Sequence, residues 1–325
     1  MSDTERPDES LQPTIDPRRS RKKRVRAALG ERTMAVLRRT VPLLPYRSLH
    51  PLSRDLSSLF QRFSKRQRRI TDKNLQLIFG ATKTPEEIDA LKRAVADHTA
   101  LMFLEWLWVA GRPDRVKGLI DLERVEMLKG ALDAGKGAII FVGHFGNNEL
   151  AAARLSLEGL PMVYIIRRRT FATVEKSMAA LREGLGVEVI GREEGIRPLM
   201  RVLGQNKILG LTADNPAPPD QGQRVTLLGH PCYMWPTAVA LSFMTGAPVF
   251  PCYSWRGPDG HHTARVMPAF EFTQQGSRNE SIAANVEMTM RWLDQQILVD
   301  PTQFAWYYDR WYTEEAPDEM PEGLL

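Results

Sequence analysis

Residues 138–155 read AIIFVGHFGNNELAAARL, and the fold turns on how this stretch is divided. Ala138 to Val142 are all apolar, with two Ile, a Phe and a Val among them, and the run stops at Gly143. A run that short, rich in β-branched and aromatic side chains and bounded by Gly, predicts a buried strand. The Ala- and Leu-rich remainder predicts a helix that opens near Asn147, a residue type that caps helix N-termini well. Gly146, between them, can take backbone angles closed to other residues, so FGNN reads as the turn. His144 therefore stands at the carboxyl end of a strand, where open α/β sheets build their sites.

Glu149 follows His144 by five positions. In one continuous helix that spacing is about 140° round the axis, and the side chains would diverge. With a turn between them, Glu149 falls in the first helical turn and can face back to His144. A neutral His is the usual general base at physiological pH. A carboxylate on its other ring nitrogen fixes the tautomer and stabilises the imidazolium. The pair alone is a weak pattern: His50 and Asp55 in HPLSRD repeat it, but no strand precedes them and Pro51 interrupts. An isolated His beside an apolar strand is more often a packed core residue; the strand, glycine turn and helix start favour the chemical reading for His144.

The same alternation continues outward. MVYIIR (162–167), VEVIG (187–191), KILGLTAD (207–214) and APVFPCYSW (247–255) are short β-rich runs. Between them TVEKSMAALREGLG (173–186) and GIRPLMRVLGQ (195–205) read as helical. Strands alternating with helices predict an α/β fold, a mostly parallel central sheet flanked by helices, over residues 137–315. Residues 27–136 read as a mainly helical part of the same domain, 27–325. There TPEEIDALKRAVADHTALMFLEWLWV offers Thr84 as N-cap, Pro85 at the first helical position and acids in the first turn. AALGERTMAVLRRTVPLL and LSRDLSSLFQRFSKRQRR place apolar residues at helical spacing with Arg and Lys between them, as basic amphipathic helices do. Such faces either pack on the rest of the domain or lie on a membrane. Residues 1–26, with RRSRKKRVR, have too little apolar surface to offset ordering entropy and read as a disordered basic tail.

Charge follows this division. Residues 1–69 hold 18 Lys and Arg against 7 Asp and Glu, a local +11, which leaves −6 for the rest of a chain of formal charge +5. A basic block of this kind suits an anionic membrane surface, a nucleic acid, or solubility alone. Cys232 and Cys252, the only two cysteines, make neither a disulfide framework nor a zinc site and fit a reducing compartment. The opening MSDTERPDES lacks the apolar core of a signal peptide, so export is not expected. Two apolar segments come near a membrane span, which needs about 20 residues. Thr99 to Gly111 is too short and carries Glu105; Val225 to Trp255 is broken by Pro231, Pro236, Gly246, Pro248 and Pro251. Both read as core elements, with a membrane-surface role open for the first.

From NLQLIFGATKTPEEID, at Asn74, to the end, the chain resembles the bacterial lipid A late acyltransferases, the lauroyl- and myristoyl-transferase family of the lysophospholipid acyltransferase-like superfamily. That family carries a His-x4-Glu/Asp pair, matched by His144 and Glu149. MVYIIRRR resembles its strand ending in Tyr-Arg-Pro, without the Pro, so Arg167 or Arg168 takes the place of the arginine expected to meet substrate phosphate. Arg182 in LREGLGVEVIG looks like the family's arginine before a strand. KILGLTADNPAPPDQGQRVTLLGHPC is similar to its strand, Asp, loop and glycine segment; Asp214 there would orient the acceptor or an arginine, or simply close a turn. PTAVALSFMTGAPVFPCYSWRGPDG and PTQFAWYYDRW resemble later segments that look structural, and His261 and His262 in GPDGHHT are expected to face solvent.

The resemblance implies an O-acyltransferase with His144 as general base and Glu149 as its orienting partner. Asn147, Arg167, Arg168, Arg182 and Asp214 are expected around the substrates. The donor would be acyl carrier protein or acyl-CoA, the acceptor a hydroxyl of lipid A or a related glycolipid, with no cofactor. A thioester is already activated, so no nucleophilic Ser is required, and the chain has no G-x-S-x-G elbow. Where relatives begin with an apolar anchoring helix, this chain is basic and amphipathic. That implies peripheral attachment to the cytoplasmic face of the bacterial inner membrane. Two other classes remain: a non-catalytic lipid-binding protein of the same fold, and a nucleic-acid binder, which lacks interleaved aromatics or a recognisable module.

Overall fold

The computed structural model describes residues 17–166 and 182–311. Its N-terminal part is helical: α1 (Pro17–Thr40), α2 (Leu49–Phe63), α3 (Lys65–Phe79), α4 (Pro85–Val109) and α5 (Pro113–Leu119). Helix α1 starts at Pro17, inside the stretch expected to be a disordered tail. Arg and Lys dominate residues 18–26 and both favour helix, so local propensity carries the helix further back than apolar content suggests. Residues 1–16 lie outside the described residues.

Helix α4 starts as its sequence predicts. Thr84 and Glu87 form a reciprocal capping box, with Pro85 at the first position. Its apolar run is core: Leu101, Leu104, Trp106 and Leu107 are buried with Val41 and Leu49 from the segments before α2 and at its start. Among the described residues no helix is long and apolar enough to cross a membrane.

The chain then alternates β1 (Ile120–Glu123), α6 (Glu126–Asp133), β2 (Ala138–Val142), α7 (Asn148–Leu157), β3 (Met162–Ile166), β4 (Glu188–Gly191), α8 (Ile196–Gly204) and β5 (Ile208–Thr212). A hairpin of β6 (Gln223–Leu227) and β7 (His230–Met234) follows, then α9 (Thr237–Thr245), β8 (Val249–Arg256), β9 (His262–Val266) and α10 (Arg278–Val299). The seven-stranded sheet has the order β1-β9-β8-β2-β5-β3-β4. β8, β2, β5, β3 and β4 run parallel, and β9 turns antiparallel to β8. The expected mostly parallel sheet is present. Strands β9 and β1 extend it beyond β8, with β1 at the edge, and the β6–β7 hairpin forms a separate two-stranded sheet. Residues 167–181, which include most of the helix expected at 173–186, lie outside the described residues.

Strand periodicity assigns the two faces. Ile139, Phe141, Val163, Leu209 and Leu211 pack with Leu199 and Val202 of α8, Leu241 of α9 and Met290 and Leu293 of α10. Ala138, Ile140, Val142, Met162 and Tyr164 face the other way, towards Val116 of α5, Leu128 of α6 and Leu150 and Leu155 of α7. With both faces covered, the central strands are apolar at every position, which is why AIIFV shows no alternation.

Candidate active site

The site grows from the ends of two neighbouring strands. In the β2–β5 ladder Val142 lies opposite Thr212, so two residues further on His144 and Asp214 emerge side by side. The Phe145 amide bonds the Gly143 carbonyl at 2.8 Å, a tight turn centred on His144. Asp214 Oδ1 accepts from the His144 amide at 3.0 Å and lies 2.7 Å from His144 Nδ1. An ionised carboxylate only accepts, so Nδ1 carries the ring proton and Nε2 is left as the basic nitrogen.

Asp214 itself is fully buried. Burial alone would raise its pKa. The charges of His144 and Arg310, with the hydrogen bonds from His144, outweigh that and hold the carboxyl well below the usual carboxylate range. Arg310, also fully buried, donates from Nη2 to Asp214 Oδ2 at 2.5 Å, from Nε to the Asp214 carbonyl at 2.8 Å and from Nη1 to the Ala305 carbonyl at 2.6 Å. The Tyr308 ring lies 4.6 Å from the His144 ring, tilted by 37°. The His144 side chain keeps 22% of its surface exposed, so the ring is reachable from outside.

Glu149 is not the carboxylate on His144. It is the second residue of α7, and both its oxygens take Arg182, at 2.9 Å from Nε and 2.6 Å from Nη2. The sequence spacing put Glu149 within reach; the strand register delivers Asp214 first. Asn147 caps α7 as expected, its side chain accepting from the Leu150 amide at 3.3 Å. It is fully buried, however, and its amide nitrogen donates to Glu105 at 3.1 Å, so it faces the protein interior and not a substrate. Arg182, expected at substrate, is buried and turned to Glu149. Arg167 and Arg168 lie outside the described residues.

Gly146 closes the turn at φ +61°, and a Cβ there would sit 2.2 Å from the Ser254 carbonyl oxygen, so only Gly fits. The C-terminal segment braces the turn: the Gly146 amide bonds the Gln303 carbonyl at 3.0 Å and the Ala305 amide bonds the His144 carbonyl at 3.0 Å. Asn74 of α3 in turn holds the carbonyls of Trp306 and Tyr308, both at 2.8 Å. Arg310 and Tyr308 were not singled out in the sequence, because PTQFAWYYDRW reads as packing. A charged residue inside an aromatic cluster is the signal that could have found them.

A second buried polar cluster lies behind the turn. Its members are Glu105, Arg256, His98 and His262. His262 is fully buried, not solvent-facing, because strand β9 begins there and turns it inward, while His261 pairs with Asp121 at the surface. Burial, and then the Arg256 charge, push His98 down from 6.5 to about 3. His98 is therefore neutral in the folded protein, whereas the unfolded chain protonates it first. Between pH 6.5 and about 3 this one group should lower stability on acidification, by about 1.4 kcal/mol per pH unit. Urea unfolding at stepped pH checks this: His98→Gln should flatten the slope by that amount.

A strand-end His whose Nδ1 meets a buried Asp, on a sheet covered on both faces, has the geometry that general-base chemistry requires. Comparison with known proteins then gives the family. The sequence profile described as bacterial lipid A biosynthesis acyltransferase matches residues 19–313, and the chain belongs to that family. It is 26% identical over 203 residues to the phosphatidylinositol mannoside acyltransferase of Mycolicibacterium smegmatis, covering 61% of this chain and 66% of that protein. With the Mycobacterium tuberculosis protein of the same name it shares 27% over 219 residues, 63% of each chain. The Escherichia coli lipid A biosynthesis lauroyltransferase is 23% identical over 291 residues, 86% of this chain and 89% of that one. The chain thus spans just under two thirds of the length of the mannoside acyltransferases.

Proposed function

We propose that this protein moves a fatty acyl chain from a thioester, acyl carrier protein or acyl-CoA, to a hydroxyl of a glycolipid, with His144 as general base. The observation that carries the reading is the 2.7 Å contact between Asp214 and Nδ1, which leaves Nε2 basic on an accessible ring. Nε2 takes the proton of the acceptor hydroxyl as its oxygen attacks the thioester carbonyl. The C–S bond breaks, and the imidazolium returns the proton to the leaving thiolate. Asp214, kept ionised by Arg310, stabilises the imidazolium between these steps. Glu149 and Arg182 fix the start of α7 beside the turn rather than relaying the proton.

The names of the relatives differ, lipid A biosynthesis in one and phosphatidylinositol mannoside in the others, but each names an acyl transfer in the making or modification of a glycolipid. That common chemistry supports a glycolipid here. Along the end of α2 and the start of α3, Arg62, Lys65, Arg66, Arg68 and Arg69 are exposed, with Leu59 also exposed nearby. A cationic face with apolar side chains suits peripheral attachment to an anionic leaflet, each basic residue contributing about 1 kcal/mol. It also suits an acidic carrier protein.

Lipid mass spectrometry of the native cells, with and without the protein, tests the reading. One glycolipid class should lose a single acyl chain, restored by the wild-type protein and not by His144→Ala. Unchanged lipids, or full rescue by His144→Ala, would favour a non-catalytic lipid-binding role.

A further inference from the structure

Glu105 interrupts the apolar second half of α4, and the structure gives that interruption a purpose. Its carboxylate is fully buried on α4 and receives a donor from each of four separate segments. Tyr46 Oη donates at 2.8 Å, Arg256 Nε and Nη2 at 2.9 and 2.7 Å, His262 Nε2 lies at 3.0 Å, and Asn147 Nδ2 donates at 3.1 Å. A buried charge is strongly unfavourable unless paired and hydrogen-bonded, and this one is saturated. Burial would raise its pKa, but His262 and Arg256 outweigh that and hold it well below the carboxylate range.

Two arms run from this anion to the turn that carries His144. The first is direct, through the side chain of Asn147, the cap of α7. The second runs through Arg256, whose Nη1 lies 2.8 Å from His98 Nδ1. A guanidinium only donates, so His98 Nδ1 is the acceptor and Nε2 holds the ring proton. That nitrogen lies 3.3 Å from the Gly146 carbonyl and donates to it. Gln303 ties the same Arg256 backbone to the turn, accepting from its amide at 2.8 Å and donating to its carbonyl at 2.9 Å. Gly146 and Asn147, the two residues that separate the His144–Phe145 segment from α7, are thereby fixed from beneath by one buried anion.

We infer that Glu105 and His98 are positioning residues that hold the His144 turn in its working geometry, an inference that rests on the acyl-transfer reading above. Neither touches the reacting groups. Misplacing a base by a fraction of an ångström lowers the chemical step without changing how substrates bind, so the effect falls on kcat and leaves KM alone.

The test uses the full chain at a temperature where circular dichroism shows each variant folded. His98→Leu removes both the acceptor for Arg256 and the donor to Gly146. His98→Gln keeps one amide oxygen and one amide nitrogen for the same two partners. Glu105→Gln preserves shape while withdrawing the charge. Hydrogen exchange of the peptide spanning residues 143–150 reads the turn without reference to activity. In His98→Leu and Glu105→Gln that peptide should exchange faster while the β3–β5 strands are unaltered. With acyl-CoA as donor, kcat should fall on the order of 10- to 100-fold with KM within about twofold. His98→Gln should recover most of both losses.

Unaltered exchange, a loss that merely tracks the folded fraction, or His98→Gln no better than His98→Leu would overturn the inference. If instead the acyl-transfer reading fails, wild type and His144→Ala give the same product signal, while the exchange data still report on the turn.

Discussion

Asp214→Asn is expected to lower kcat on the order of 10^3-fold while leaving KM within a few-fold. The carboxamide is nearly the same size, so the substitution tests charge and hydrogen-bond direction rather than packing. Asp214 accepts from Nδ1 and from the His144 amide with the same oxygen. An amide that turns its nitrogen to the ring forces the proton to Nε2, which removes the base. An amide that keeps its oxygen there still fails to stabilise the imidazolium. Steady-state kinetics on the folded variant decides it. The comparison with Glu149→Gln is informative, because the two carboxylates exchange the roles that spacing alone suggests. Glu149 pairs with Arg182, so its loss should appear first as lower stability and only then as lower activity.

The largest stability effect is expected at Arg310. Arg310→Met conserves length but strands Asp214 in a fully buried position without its guanidinium partner, and leaves the Ala305 carbonyl without this donor. Breaking a buried pair by removing one member costs about 3–5 kcal/mol, read as a lower urea midpoint at pH 7. The pH dependence has a definite sign. The folded-state pKa of Asp214 is depressed, so its stabilising contribution is fully present above the ordinary carboxylate range and is lost as pH falls through that range and below. Wild type should therefore lose stability steeply below about pH 4. Arg310→Met, having lost much of the depression, should show a shallower acid limb. Equal stability of the two proteins at pH 7 would show that Arg310 does not compensate Asp214.

The strand, turn and helix around His144 were legible because each is local: five apolar residues, a glycine and a capping Asn are read within one short window. The sheet class followed from repetition of that pattern. The identity of the carboxylate on His144 was not legible, since Asp214 lies 70 residues away and only the β2–β5 register makes them neighbours. Arg310 is further still, in a segment whose aromatics announce packing and mask its charge. Glu105 looked like a flaw in an apolar run because its donors come from Tyr46, Asn147, Arg256 and His262, which no periodicity connects. His262 follows an exposed turn, and composition gave no sign that the next residue begins a strand facing inward.

The central claim is that His144, held by Asp214, is the base for acyl transfer to a lipid hydroxyl. The most direct measurement is transfer of an isotope-labelled acyl chain from acyl-CoA or acyl carrier protein to glycolipids extracted from the native cells, by purified wild-type protein and by His144→Ala. The account predicts a labelled product one acyl chain heavier than its acceptor with wild type and a rate at least about 10^3-fold lower with His144→Ala. Equal rates with both proteins would contradict it.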